Sequence, residues 1–408
     1  MSEIKITKAP NGGVVNAIVS KSAAHRILIA AFLSGLDLTD RCDGLSDDIS
    51  ATKACLLNMG EAQSRGTAHC CEVPCGESGS TLRFLLPLAG ALGIESDFIC
   101  LGRLPDRPMD PFLECLAQHG CLVEGRNPKH LTGKLTGGIF RLPGNISSQY
   151  VTGLLMALPI LQEDSVISID GRLQSRPYVD MTLSVLQKAG IEIEETENEF
   201  KIKGGQKYAL DAFALENIEG DWSGAAFWIA MDAMLRLQDM AGWQEKRIDC
   251  IGLDPQSAQG DKEIETIAET VLESGSAPID IDVADVPDLV PALGALACAR
   301  PEGSVTNIVN AGRLRFKESD RLHAVTVVLS GLGADIEEQE ESLTIRSTGG
   351  LTGGQADSFG DHRIAMMAAT AACIAQEEVT IIGAEAVKKS YPRFFEDYQK
   401  LGGEVQWL

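Results

Sequence analysis

No apolar stretch in this chain approaches the thickness of a bilayer. Runs such as Phe84–Ile94 and Val151–Leu161 extend 11 residues, against the roughly 20 that a transmembrane helix requires. The opening Met1-Ser2-Glu3-Ile4-Lys5 lacks the charged-then-apolar pattern of a secretory signal, so a cytoplasmic protein is expected. Basic residues are scarce: 35 Lys and Arg stand against 58 Asp and Glu, a formal charge of −23. Nucleic acid and anionic membranes are bound through surface Lys and Arg that release counterions. The charge therefore argues against both as partners and leaves room only for a local basic pocket. The 11 cysteines are odd in number and contain no Cys-x-x-Cys pair, which argues against a secreted disulfide framework. Their densest group, His69-Cys70-Cys71 with Cys75, would hold zinc only with tetrahedral spacing. Buried thiols in a reducing compartment are the expectation instead. A Walker loop is missing as well, because no Gly-Lys-Ser/Thr follows a glycine-rich turn at the required spacing.

What is present is an ordinary globular composition, 44% apolar and 23% charged over 408 residues, long enough for two or three domains. It also repeats. Gly102-Arg103-Leu104-Pro105-Asp106-Arg107-Pro108 is echoed 69 residues later by Gly171–Pro177 and 141 further on by Gly312–Lys317. Weaker partners fall at Gly44, Gly252 and Gly383, making six units. After each comes a helical pattern closed by glycine, as in 111–120, 182–190, 323–333 and 394–402. Short β-branched runs such as 191–193 and 335–337 follow as strand starts. A second series of helix starts precedes them: Ser20-Lys21-Ser22, Glu77-Ser78-Gly79-Ser80, Ser147-Ser148-Gln149, Asp221-Trp222-Ser223, Pro287-Asp288 and Asp361-His362-Arg363. Ser, Asp and Pro belong at N-caps and first turns. Six α/β units predict two pseudo-symmetric domains of three units each.

Four of these segments carry chemistry. In Ser20–Arg26, Ser22 and Arg26 share one face at a helix N-terminus, where free N–H groups and the dipole favour an anion. Gly76–Arg83 lets a ligand approach the backbone, with Arg83 one turn inside. In Lys317-Glu318-Ser319-Asp320-Arg321, Lys317 and Arg321 are four apart and Glu318 is suited to proton transfer, although a charged helix start with internal ion pairs reads equally simply. Asp361-His362-Arg363 opens the apolar stretch 364–374, where charges are costly unless they face a ligand or partner. All four occupy the same place in the repeat. Lys and Arg converging there imply a dianionic or polyanionic small ligand.

Together with Gly102–Pro108, Ser147–Gln149, Ser175–Tyr178 and Lys389–Pro392, these motifs occur in the order seen in the 3-phosphoshikimate 1-carboxyvinyltransferase (EPSP synthase) family, and the chain resembles that family over essentially its whole length. The resemblance implies an α/β fold of two domains, each of three βαβαββ repeats in an inside-out α/β barrel, around an interdomain cleft. It implies one domain of residues 19–220 and another of 1–18 plus 221–408. The implied reaction moves the enolpyruvyl group of phosphoenolpyruvate to the 5-hydroxyl of shikimate 3-phosphate, in a cytoplasmic monomer without cofactor or metal. Carried over motif by motif, Lys21, Ser22, Arg26, Ser147, Ser148, Gln149, Ser175, Tyr178, Asp288 and Lys317 are implied shikimate 3-phosphate ligands. Lys21, Gly79, Arg103, Gln149, Arg321, Arg363 and Lys389 are implied phosphoenolpyruvate ligands. Asp288 resembles the family's proton acceptor and Glu318 its second acid/base group; Glu318 and Lys21 both remain open as the donor to C3.

Two carboxylates in different environments suit a reaction that both delivers and removes a proton. Clustered Arg and Lys suit an intermediate carrying a carboxylate and a phosphate. Glu77 and Arg313 depart from the pattern of many relatives, which carry Asn there. The resemblance further implies inhibition by glyphosate in competition with phosphoenolpyruvate, with Gly79 the position where an added methyl would crowd the ligand. The sister enzymes acting on UDP-N-acetylglucosamine usually carry Asn after the first Lys and a Cys in the loop near Arg103–Arg107; here Ser22 follows Lys21 and the loop has no Cys. A non-catalytic phosphometabolite-binding protein would gain nothing from carboxylates at Asp288 and Glu318. A nucleic-acid end-processing enzyme is disfavoured by the charge.

Overall fold

One sheet topology recurs four times in the computed structural model, which describes residues 2–39, 41–42, 45–65, 70–239 and 246–408. Gly44 and His69 lie outside the described residues. In the first sheet Cys71–Gly76 runs parallel to Ser96–Cys100 across the intervening helix Gly79–Leu92. Ser96–Cys100 then pairs antiparallel with Lys129–Gly133, the inner strand of a hairpin whose outer strand is Cys121–Glu124. The second sheet repeats this with Gly138–Pro143, Ser165–Asp170, Glu199–Ile202 and Ile193–Glu195. The third uses Ile279–Asp282, Val305–Val309, Leu343–Arg346 and Asp335–Glu338. In the fourth, Gly354–Asp357 and Val379–Ile382 are parallel, but the inner hairpin position is taken by the N-terminal strand Glu3–Lys8, flanked by Glu404–Trp407. The start of the chain is thereby stitched into its last sheet. Burial alternates along these strands, as in Ser165–Asp170, so each sheet covers a core with one face only.

The six expected units are not equal. Gly13–Asn16 and Ile248–Ile251 form a two-stranded parallel pair with no hairpin. Helix Ile264–Glu273 is followed within a few residues by strand Ile279–Asp282, which belongs to the next sheet, so no hairpin fits between them. Residues 21–65 contribute helices Lys21–Leu33 and Asp47–Arg65 and, among the described residues, no strand. No sheet among the described residues closes into a barrel.

The chain forms two compact units, Lys21–Ile218 and Met1–Ser20 with Glu219–Leu408. The segments joining them are neighbours: the Ser20 N–H donates to the Glu219 carbonyl at 2.8 Å, and Val19 bridges Gly220.

Each unit is built on three helices buried nearly all round, the mark of a core helix. In the first they are Lys21–Leu33, Gly79–Leu92 and Ser148–Ala157. In the second they are Trp222–Gln238, Val290–Cys298 and His362–Ala371. Amphipathic helices such as Asp110–Gln118, Arg176–Lys188 and Arg321–Gly331 lie outside them. A buried helix must satisfy its first N–H groups locally. Ser78, Ser147, Asp221 and Asp361 do this as N-caps, accepting from Thr81, Gln149, Gly224 and Arg363 backbone N–H groups. Gly153 lets two of the core helices meet closely, because a Cβ there would collide with the Arg83 carbonyl. The helix-closing glycines Gly120, Gly190, Gly333 and Gly402 all have positive φ, the conformation a C-terminal αL residue needs. Among the described residues no helix is long and apolar enough to cross a membrane.

Candidate active site

Three of the four charged motifs sit at the N-termini of these core helices, Lys317–Arg321 leads into the outer helix Arg321–Gly331, and they form one group in each unit. In the unit Lys21–Ile218, Lys21 opens its helix and its ammonium donates to Asp48 Oδ2 at 2.9 Å. Arg26, one turn on, is 2% exposed; the simpler reading of a capped surface helix with solvated charges does not hold. Its Nε donates to Thr182 Oγ1 (2.8 Å), Nη1 to the Ser22 carbonyl (2.5 Å), and Nη2 to the Tyr178 carbonyl (2.7 Å) and Thr152 Oγ1 (3.4 Å). Burial pushes its pKa down to about 10. These bonds tie the Ser22 turn to the start of helix Arg176–Lys188, where Ser175 is buried with φ +55°. Burial, with Lys21 and Arg26 nearby, holds His25 well below its ordinary pKa, so its ring is neutral; its Nδ1 lies 2.7 Å from Thr52 Oγ1. Thr52 shares a hydrogen bond with Thr81, which donates to Ser78. A ladder of hydroxyls thus joins the first two core helices.

Gly79 lies at the first turn of its helix with two guanidinium groups against it. A Cβ there would stand 2.8 Å from Arg107 Nη1 and 3.2 Å from Arg83 Nη1. Arg83 Nη1 donates to Gln149 Oε1 (2.6 Å), and Gln149 Nε2 donates to Ser80 Oγ (2.9 Å). Ser147 Oγ accepts from the Gln149 N–H while Ser148 is buried. One expected residue is displaced. Arg103 is exposed, at the start of the 3-10 turn Leu104–Asp106, whereas Arg107 after that turn is 8% exposed and reaches Gly79. The turn buries Leu104 and Pro105 and sends the two arginines to different surroundings. Arg107, not Arg103, is therefore the arginine of this turn that the fold places at Gly79. Glu77 lies against Gly102, where a Cβ would stand 2.6 Å from Glu77 Oε2.

In the other unit Asp288 is the hub. It lies in the 3-10 turn Pro287–Leu289 that leads into helix Val290–Cys298. Its Oδ1 accepts from Arg321 Nη1 (2.9 Å) and Lys317 Nζ (3.3 Å), and its Oδ2 from Arg363 Nη2 (3.1 Å). Its backbone carbonyl accepts from Arg363 Nη1 at 3.2 Å. Burial favours the neutral acid, but Arg363, Lys317 and Arg321 outweigh it and hold the carboxyl well below the usual range. Arg321 is 1% exposed and also donates to Asp361 Oδ2 (2.9 Å) and Glu318 Oε2 (2.6 Å). Asp361, fully buried, further accepts from Ser319 Oγ and the Arg363 N–H. Burial lowers the pKa of Lys317 against the pull of Asp288.

Lys317 and Arg321 do not stand one turn apart on a helix. Lys317 ends the 3-10 turn Gly312–Phe316, Asp320 caps the helix, and Arg321 is its first residue. They converge on Asp288 instead. Lys389 Nζ donates to the Gly360 carbonyl at 2.6 Å, beside the Asp361 turn, and Arg313 Nη2 donates to the Ala284 carbonyl at 2.5 Å. Asp261, which the motifs gave no reason to single out, is buried and accepts from Ser223 Oγ. Burial and then Asp288 push its pKa up to about 6. Lys317, Arg321 and Arg363 are each matched by a carboxylate, so anionic ligands would have to compete for them.

The match to known proteins covers the whole chain. The family model for EPSP synthase (3-phosphoshikimate 1-carboxyvinyltransferase) matches residues 6–398. A protein of Clostridium kluyveri named 3-phosphoshikimate 1-carboxyvinyltransferase is 40% identical, with 100% of this chain and 99% of the relative covered. Proteins of the same name from Clostridium acetobutylicum and Clostridioides difficile are 38% and 36% identical over the same shares. The solved structure of EPSP synthase from Acinetobacter baumannii superposes with a TM-score of 0.74 at 20% identity, covering 100% of each chain; at that identity it speaks for the fold. The chain belongs to the EPSP synthase family.

Proposed function

We infer that this chain transfers the enolpyruvyl group of phosphoenolpyruvate to the 5-hydroxyl of shikimate 3-phosphate and releases phosphate. The observation that carries the chemistry is the Asp288 carboxylate held among Lys317, Arg321 and Arg363. The 5-oxygen bonds to C2 of phosphoenolpyruvate as its proton leaves to Asp288, and C3 gains a proton from Glu318 or Lys21. Loss of phosphate from C2 and of a proton from C3 then restores the enol ether. In the unliganded chain Asp288 is a weak base because three cations stabilise its charge. A phosphate or carboxylate drawing on those cations relieves this, and burial then raises the basicity of Asp288. The base is thereby armed by the anionic substrate it serves.

Within Lys21–Ile218, the proposed shikimate 3-phosphate ligands are Lys21, Ser22, Arg26, Ser147, Ser148, Gln149, Ser175 and Tyr178. The proposed phosphoenolpyruvate ligands there are Lys21, the Gly79 backbone, Gln149 and Arg107. In the other unit, Asp288 and Lys317 are assigned to shikimate 3-phosphate, and Arg321, Arg363 and Lys389 to phosphoenolpyruvate. The reading carries with it a cytoplasmic monomer acting on small anions, in keeping with a charge of −23 that repels polyanionic partners. Asp288→Asn tests it. Turnover should fall about 10²- to 10⁴-fold, the usual worth of a positioned proton acceptor, while calorimetry still finds shikimate 3-phosphate bound. Turnover within about threefold of the parent, far below that range, would remove Asp288 from the chemistry.

A further inference from the structure

The cysteine-rich run of the sequence comes apart in the fold. Cys71 and Cys75 are buried at alternate positions of strand Cys71–Gly76, as thiols in a core, but Cys70 at the entry to that strand is exposed. Its neighbours come from two other strands. Cys71 stands opposite Ser96, and the Cys71 N–H donates to the Glu95 carbonyl at 2.8 Å, so Cys70 sits beside 95–97. The antiparallel strand Lys129–Gly133 places His130 directly opposite Asp97. Opposed residues share a face of the sheet, with Cβ atoms about 4.5–5.5 Å apart. His130 Nδ1 is 2.8 Å from Asp97 Oδ1 and 4.0 Å from Cys70 Sγ. The three donor atoms all lie within 4.8 Å of one another. The other ring nitrogen, Nε2, lies 3.4 Å from Glu95 Oε1.

We propose that Cys70, Asp97 and His130 form a binding site for one divalent ion of the zinc class, with Glu95 orienting the imidazole and water completing the shell. Thiolate, imidazole and carboxylate together suit zinc-like ions and not magnesium or calcium, which take oxygen ligands. Tetrahedral zinc with ligand bonds of 2.0–2.3 Å sets its donor atoms roughly 3.3–3.6 Å apart. The Cys70–His130 distance has to shrink, and the His130–Asp97 distance to open, by a few tenths of an ångström to meet that spacing. The ion would replace the His130–Asp97 hydrogen bond. Glu95 supplies the carboxylate partner that metal-bound histidines characteristically have on their second nitrogen, leaving the Nδ1 lone pair for the ion. Two of the donors, Asp97 and His130, sit on paired strands of one sheet, a firmer frame than a loop, and Cys70 immediately precedes a third. A plain surface ion pair of His130 with Asp97 and Glu95 would contribute little and gives no reason for Cys70 to complete the trio. None of these residues belongs to the groups around Lys21 or Asp288.

Cobalt(II) titration of the full-length protein, stripped with a chelator, tests the site. One equivalent should bind and produce a thiolate-to-cobalt charge-transfer band, and one equivalent of zinc should abolish it. Cys70→Ser should remove the band, and His130→Gln should remove stoichiometric binding. Glu95→Gln should weaken affinity about 10- to 100-fold, as loss of such a partner does elsewhere. Cys250→Ser, at a half-buried thiol of the other unit, should leave the band intact. Phosphate release by Cys70→Ser should equal that of the parent, which also shows the variant folded. Absence of the band at stoichiometric cobalt, or its survival in both Cys70→Ser and His130→Gln, overturns the proposal.

Discussion

Replacing Asp361 should cost more than replacing any other single carboxylate of the site, because one buried side chain does three jobs. It caps helix His362–Ala371 through the Arg363 N–H at 2.9 Å. It pairs with Arg321 through Nε at 2.9 Å and Nη2 at 3.3 Å, and it accepts from Ser319 at 3.1 Å. Loss of an N-cap typically costs about 1 kcal/mol. Leaving a buried charge without its partner typically costs 3–5 kcal/mol. Arg321 retains Asp288 and Glu318, so the lower end of that range applies, and Asp361→Ala should lose about 4 kcal/mol in all. Asp361→Asn keeps the cap and a neutral acceptor and should lose roughly half as much. All four tryptophans of the chain lie between 219 and 408, in the unit that holds Asp361, so their fluorescence in urea reads this unit. A midpoint lower by about 1 M or more is expected for Asp361→Ala. Turnover should fall in both variants, because Arg321 loses the carboxylate that holds its Nε and Nη2. If both variants unfold within about 0.5 kcal/mol of the parent, as neutral surface substitutions do, Asp361 is not the anchor described.

The two arginines that flank the turn Leu104–Asp106 give a paired contrast. Arg107→Ala should lower kcat/KM for phosphoenolpyruvate about 10²- to 10³-fold, whereas Arg103→Ala, at an exposed position, should change it by less than about threefold; equal effects would contradict the assignment. Gly79→Ala places a methyl 2.8 Å from Arg107 Nη1; the flexible guanidinium can yield, so the fold survives while kcat/KM drops about 10- to 100-fold. Glyphosate, which should compete with phosphoenolpyruvate in the parent, should inhibit this variant less, and unchanged kinetics with both compounds would reject the crowding argument. Asp261, with a pKa raised to about 6 from 3.8, binds more protons folded than unfolded between those values. Its contribution therefore lowers stability as pH rises through that window. Asp261→Asn should gain on the parent from pH 4 to 6, by up to about 1.4 kcal/mol per pH unit, in urea melts across pH; a difference independent of pH would refute the shift.

What the sequence disclosed was what neighbouring residues decide. N-caps at Ser78, Ser147, Asp221 and Asp361 and glycines past helix ends all depend on residues a few positions apart, and the repeat shows as short motifs recurring in order. What it hid depends on partners brought from afar. Asp361 reads as a cap, and only the fold adds Arg321 to it, 40 positions away. Arg83 and Gln149 are 66 apart and meet because Gly153 lets their helices close up. Arg103 and Arg107 flank one short turn, and their composition gives no sign of which is buried. The spacing of Lys317 and Arg321 suggested one helical face, yet Asp320 starts the helix between them and Asp288 gathers both. The trio Cys70, Asp97 and His130 joins two strands and the residue before a third, over a sequence distance no motif covers.

Phosphate release after mixing the protein with shikimate 3-phosphate and phosphoenolpyruvate, with each omitted in turn, tests the central claim most directly. The account predicts release that requires both substrates and collapses in Asp288→Asn. Release from phosphoenolpyruvate alone, or none from a folded protein that binds shikimate 3-phosphate, would contradict it.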